Sequence, residues 1–124
     1  MTVIVIGEKE LLRKLQRLEP RQLEGALLAA GKHVEAKVSP YPPPISETYI
    51  RRFKLRDGWR VTPKKSDYAV EIKNIMEYAP YVQGEQQAAI HRGRWKQLKK
   101  TALDEMDEII NKVKRQVDRI LEGR

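Results

Sequence analysis

The residues able to do acid–base, nucleophilic or metal chemistry are few and scattered along the chain. There are two histidines, His33 and His91, and no cysteine, which excludes thiolate nucleophiles, disulfides and thiolate metal sites. The histidines stand in different segments, and neither has a Glu or Asp at the spacing a zinc site needs. His33 reads as a boundary residue of an amphipathic helix. His91, beside Arg92 and Arg94, reads as a solvated loop residue that gains charge on acidification. The three serines (Ser39, Ser46, Ser66) lie beside prolines or in a hairpin turn, and GxSxG, GxGxxG and GxxxxGK[ST] are all missing. Asp104, Glu105, Asp107 and Glu108 precede Lys112, Lys114 and Arg115, so helical salt-bridge pairing accounts for them better than paired catalytic carboxylates. The expectation is a protein that is not an enzyme, with no cofactor and no metal.

What remains is charge. The chain has 25 Lys+Arg against 17 Asp+Glu, a net +8, which suits a polyanion or an acidic protein surface as partner. Seven basic residues fall between Tyr49 and Lys65 (Arg51, Arg52, Lys54, Arg56, Arg60, Lys64, Lys65) against the single acid Asp57, a net +6. Five more (Arg92, Arg94, Lys96, Lys99, Lys100) fall between His91 and Lys100 with no acid. Together these two segments carry +11, which leaves the rest of the chain at −3. Trp59 and Trp95 interleave with them, a pattern shared with nucleic-acid surfaces. No reader motif accompanies them. Contact with nucleic acid would be sequence-independent and salt-sensitive, and an acidic protein surface fits equally well.

The elements that must position these groups follow from periodicity. At 124 residues the chain fits one domain, 1–124, able to bury a core without staples. No apolar run is long enough for a membrane span or a signal-peptide core, so no membrane association is expected, and the absence of cysteine suits a reducing cytosol. Thr2–Ile6 is β-branched and closed by Gly7, an edge strand. From Glu8 onward, Leu11, Leu12, Leu15 and Leu18 share a helical face, and Pro20 breaks or ends that helix. A second amphipathic helix is predicted from Arg21 to Val38, where Gly25, Ala29, Ala30 and Gly31 allow close approach of another element. Residues 39–49 form a proline-rich arm, with Pro40, Pro42, Pro43 and Pro44 excluding helix and central strand.

Asp57-Gly58 signals a turn. After it, Trp59–Thr62 and Tyr68–Ile72 alternate with period two and predict a hairpin whose buried face is Trp59, Val61, Tyr68, Val70 and Ile72. Tyr78–Gly84 reads as a short turn or helix ended by glycine, with Tyr78, Tyr81 and Val82 placed against the hairpin. A long helix is predicted from about Trp95 to Glu122 on the stripe Leu98, Ala102, Met106, Ile109, Ile110, Val113, Val117, Ile120 and Leu121. At ~1.5 Å per residue a straight helix of that length spans ~42 Å, longer than the ~35 Å of a compact domain of this size. Either a partner covers the overhang or the helix is broken on its own core. The resulting class is α+β: a small antiparallel sheet, hairpin plus N-terminal strand, packed with two N-terminal helices and a C-terminal helix.

The order of these segments resembles the neck and minor-tail protein family of tailed bacteriophages. The resemblance is carried by the proline arm leading to Thr48–Trp59 (TYIRRFKLRDGW), the hairpin, Tyr78–Gly84 (YAPYVQG), His91–Trp95 (HRGRW) and a terminal helix. Tyr49, Arg51, Leu55 and Trp59 match the first family segment, and Tyr78, Ala79, Tyr81, Val82 and Gly84 match the second. Phe53 stands where the family usually has glycine, and Gly58 where serine is frequent. The resemblance implies a virion structural protein, a tail-completion or head–tail joining subunit made in the host bacterial cytoplasm. It implies a homo-oligomeric ring, a hexamer, between connector or head-closure proteins and tail-terminator or tail-tube proteins, with DNA passing through the channel.

On this reading the terminal helix and the arm carry subunit contacts. Arg51, Arg52, Lys54, Arg56, Arg92, Arg94 and Lys96 face DNA or an acidic neighbour. Tyr49, Leu55, Trp59, Tyr78, Tyr81, Val82, Gly84 and Trp95 pack the family motifs, and the two basic segments form separate surfaces for separate neighbours. The alternatives are a small cytosolic sequence-independent nucleic-acid-binding regulator and, with least support, a hydrolytic toxin or nuclease using His91 with Arg92 and Arg94.

Overall fold

Alternating apolar residues in three short segments build one antiparallel sheet. The computed structural model describes residues 2–6, 9–42, 54–84, 87 and 95–123. Strands β1 (Thr2–Ile6), β2 (Trp59–Lys64) and β3 (Ala69–Asn74) lie in the order β1-β3-β2, so the central strand is β3 and the N-terminal strand is an edge, as predicted. The registers run from Thr2 opposite Lys73 to Ile6 opposite Ala69, and from Trp59 opposite Asn74 to Lys64 opposite Ala69. This pairing puts Val3, Trp59, Val61, Val70 and Ile72 on one face, and Thr2, Arg60, Thr62, Glu71 and Lys73 on the other. The first face is the packed one; the second mixes these polar residues with Ile4, Ile6 and Ala69. Tyr68 departs from the prediction. It follows a 3-10 turn, Lys65–Asp67, and adopts a left-handed backbone with φ 50°, so it closes the hairpin and β3 starts one residue later.

Helices α1 (Lys9–Leu15) and α2 (Pro20–Val38) come next in the chain. Pro20 starts α2, where its missing N–H costs no hydrogen bond. Glu19 precedes it as the N-cap, and its backbone N–H donates to Gln22 Oε1 at 3.1 Å. The buried stripe Leu23, Ala26, Leu27, Ala30, Val34 and Val38 lays α2 on β2 and β3. Gly31 sets the closeness of that contact, because a Cβ there would stand 2.4 Å from Val61 Cγ1 and 2.7 Å from Val70 Cγ2. Gly25 meets nothing and contributes no such contact.

The C-terminal helix is not one rod. It begins at Leu98 and divides at Glu105 into α5 (Leu98–Asp104) and α6 (Met106–Leu121). Glu105 has φ −92° and ψ −1°, at the edge of the right-handed helical region, and its N–H reaches the carbonyls of Leu103 and Thr101. The break lets α5 follow α2 and β1 while α6 lies across α1 and α2. At ~1.5 Å per residue α6 extends only ~24 Å. Ile109, Val113 and Val117 are buried within the chain itself, so there is no overhang and the terminal helix does not need a partner to cover its stripe. Lys14 bonds Asp118 at 2.6 Å and Lys114 bonds Glu10 at 3.1 Å, fixing α6 beside α1 at a partly exposed seam.

Two short helices complete the described chain. Helix α3 (Lys54–Asp57) precedes β2, and α4 (Ala79–Gln83) follows β3. They build a second, smaller core of Leu55, Ala79 and Val82, against which Tyr41, Met76 and Trp95 pack.

Candidate interaction surface

The second core collects the segments the sequence singled out. Leu55 comes from the first basic segment, Ala79 and Val82 from Tyr78–Gly84, Trp95 from the end of His91–Trp95, and Tyr41 from the start of the proline arm. The Tyr41 and Trp95 rings meet edge to face, with centroids 4.9 Å apart and planes at 64°. The Tyr41 hydroxyl accepts a hydrogen bond from Arg56 N at 3.0 Å. Leu55 of the first basic segment and Trp95 of the stretch that opens the second therefore pack in one apolar cluster. Arg56 and Lys96 flank it, both exposed. Tyr49, Arg51, Arg52, Arg92 and Arg94 lie outside the described residues, as do the side chain of Lys54 and the arm beyond Pro42.

Amide side chains hold this irregular region together. Asn74, 2% exposed, donates from Nδ2 to the Leu55 carbonyl at 2.7 Å, and its Oδ1 accepts from Met76 N at 3.0 Å. Gly58 makes room for it, since a Cβ there would lie 2.3 Å from Asn74 Oδ1. Glycine rather than serine at this position follows from that close approach. Gln83 is fully buried, and its Nε2 donates to the carbonyls of Val38 at 2.7 Å and Lys96 at 3.0 Å. Gln87 Nε2 donates to Val82 O at 2.7 Å and Trp95 O at 3.1 Å, and Gln97 Nε2 to Gly84 O at 3.2 Å. Loop carbonyls that no helix or sheet satisfies are taken up by these amides. Sequence reasoning missed Asn74 and Gln83, because a buried amide leaves no periodic signature.

One correction concerns two aromatic residues. Tyr78 and Tyr81 do not pack on the hairpin; they are 41% and 54% exposed. Helix α4 turns Ala79, Val82 and Gln83 inward, which sends Tyr78 and Tyr81, three residues apart, to the outer side. Ile75, just before them, is 53% exposed. Trp59, conversely, is buried in the main core at 6% exposure. Trp59 therefore offers no face for base stacking. Arg60 turns back on the chain, its Nη1 donating to the Asp57 and Trp59 carbonyls at 2.8 Å each.

A second constellation was invisible in the sequence. His33 Nε2 lies 3.1 Å from Glu105 Oε2, linking α2 to the break between α5 and α6, and the His33 side chain is 7% exposed. Glu108 stands one helical turn on, and one ligating atom from each of His33, Glu105 and Glu108 lies within 4.8 Å of the others. His33 therefore does have acidic neighbours, supplied from 72 residues away. The hydrogen bond from His33 holds the Glu105 carboxyl below its ordinary value against the opposing effect of burial, with Glu108 and Lys37 acting in the same direction as His33. Because the folded value is the lower one, the pairing stabilises the fold above the unfolded carboxylate range and is lost as pH falls through the folded value.

Among the described residues no helix is long and apolar enough to cross a membrane. No family model matches the chain, and no curated protein or solved structure matches it either.

Proposed function

We propose that the chain is a structural subunit of the neck of a tailed bacteriophage, a tail-completion or head–tail joining protein. In this reading it takes its place in a homo-oligomeric ring, a hexamer, between connector and tail, performs no catalysis, and leaves a channel for DNA. One observation carries it: the segments on which the family resemblance rests converge on one small core, through Leu55, Ala79, Val82 and Trp95, beside the exposed Ile75, Tyr78 and Tyr81. Exposed apolar and aromatic side chains such as these suit protein–protein contact, where aromatic residues carry binding energy.

The test is mass spectrometry and electron cryo-microscopy of purified particles from a phage encoding this chain. The reading expects the protein in the neck at a fixed low copy number, and unjoined heads and tails when the gene is disrupted. Absence from purified virions would overturn it. Charge reversal at Arg51, Arg52 and Arg92 then assigns the basic segments. Particles that assemble and eject DNA normally with all three reversed would remove those residues from the mechanism.

A further inference from the structure

We propose that His33, Glu105 and Glu108 form a binding site for one borderline-soft divalent cation, with Zn2+ the preferred ion, which clamps α2 to the junction of α5 and α6. The three ligands come from two parts of the chain that only folding brings together, and their ligating atoms already lie within 4.8 Å of one another. Zn2+ holds imidazole nitrogen and carboxylate oxygen at ~2.0–2.2 Å, so neighbouring ligand atoms in a tetrahedral set stand ~3.4 Å apart. Small rotations of the two glutamates close the observed spacing onto an ion. His33 is held by burial, at 7% exposure, while Glu105 at 21% and the exposed Glu108 face the entry side.

The chemistry of the donor set selects the ion. One imidazole and two carboxylates, with no thiolate, suit Zn2+ and its first-row neighbours, whereas Ca2+ and Mg2+ favour all-oxygen shells with more ligands. Three protein ligands leave a fourth position for water. The helix dipole explains an acid such as Glu108 in the first turn of α6. It does not explain why Glu105, at the break itself, and Glu108 both close on a buried imidazole from another helix. Without an ion, His33 Nε2–H donates to Glu105 Oε2; with the proton on Nδ1 instead, the Nε2 lone pair is free to bind a cation shared with Glu105 and Glu108.

The experiment uses the full, untagged chain stripped with chelator and titrated with ZnCl2 at neutral pH by calorimetry, and with Co2+ for its visible absorption. The expected result is saturable binding of one Zn2+ per chain and a higher melting temperature with the ion. E108Q is the main variant because Glu108 is exposed and the metal-free fold should melt as wild type. It should weaken binding by at least the ~10–100-fold that loss of an outer-shell partner costs. H33Q should do the same, and H91A should leave binding unchanged. No saturable binding up to millimolar free Zn2+, wild-type affinity in E108Q, or loss of binding in H91A would each overturn the assignment.

Discussion

The main core and the small one beside it solve the burial problem in opposite ways. In the main core, Leu11, Leu15, Val34, Ile72, Val113 and Val117 are aliphatic and come from regular elements whose backbones bond themselves. Among the described residues the small core has Leu55, Ala79 and Val82, from the short helices α3 and α4, at its centre and is rimmed by Tyr41, Met76 and Trp95 from irregular segments. Its stray carbonyls are bonded by Asn74, Gln83, Gln87 and Gln97. Stability therefore concentrates in the first region. The exposed aromatics and the ends of the basic segments concentrate in the second, where low local stability is tolerated and contact surfaces are commonly found.

The sharpest test of this division is a truncation at the centre of the main core. Ile72 is fully buried on the central strand, and Ile72→Ala should cost ~2–5 kcal/mol through lost burial and a residual cavity. Urea denaturation should show a lower midpoint with an unchanged slope. A loss under about 1 kcal/mol, a size ordinary for point substitutions, would mean that the two cores are not so unequal.

Next in size is Gln83→Leu, which keeps the volume of the buried side chain but leaves the Val38 and Lys96 carbonyls without their donor. Buried groups left unpaired cost ~1–3 kcal/mol. The loss should be local, so amide exchange should rise around Gly84 and Gln97 with β3 still protected. Uniform loss of protection would place Gln83 in the main folding unit instead. Asn74→Ala should have a smaller effect at the junction of α3 and β3, where it unpairs the Met76 N–H but leaves the Leu55 carbonyl its bond from Gly58 N.

The same division decides what could be read from the residues alone. The strands, α1, α2 and the buried stripe of the terminal helix were legible because a 2-residue or 3.6-residue period reports burial directly. A broken terminal helix was one of the two outcomes its length allowed, but the position at Glu105 was not legible, since Leu98, Ala102, Met106 and Ile109 continue the stripe across it; both halves touch α2, α5 adding β1 and α6 adding α1. Tyr78 and Tyr81 were misplaced because hydrophobic character is not burial, and a helix as short as α4 gives too few turns to define a face. His33 with Glu105 and Glu108 could not be found by spacing, because 72 residues separate its halves. Leu55 and Trp95, which share the small core, look unrelated until the chain is folded.

The smallest expected effect on stability carries the largest functional weight. Tyr81 is 54% exposed on α4 and Ile75 is 53% exposed before it. Replacing both with serine removes apolar surface that the monomer does not bury, so stability should stay within about 0.5 kcal/mol of wild type, the usual range for surface substitutions. If this face meets a neighbouring subunit, each side chain becomes buried only on assembly, and the loss appears in that step alone. Complementation of a phage lacking the gene should then fail with Ile75→Ser/Tyr81→Ser although the protein accumulates and melts normally. Leu103 supplies the control: it is 63% exposed, but it lies on α5, and single exposed apolar residues are ordinary on protein surfaces. Leu103→Ser should complement. Failure of both variants would show a general need for surface apolarity, and success of both would separate the small core from assembly and leave it a purely structural device for holding loops.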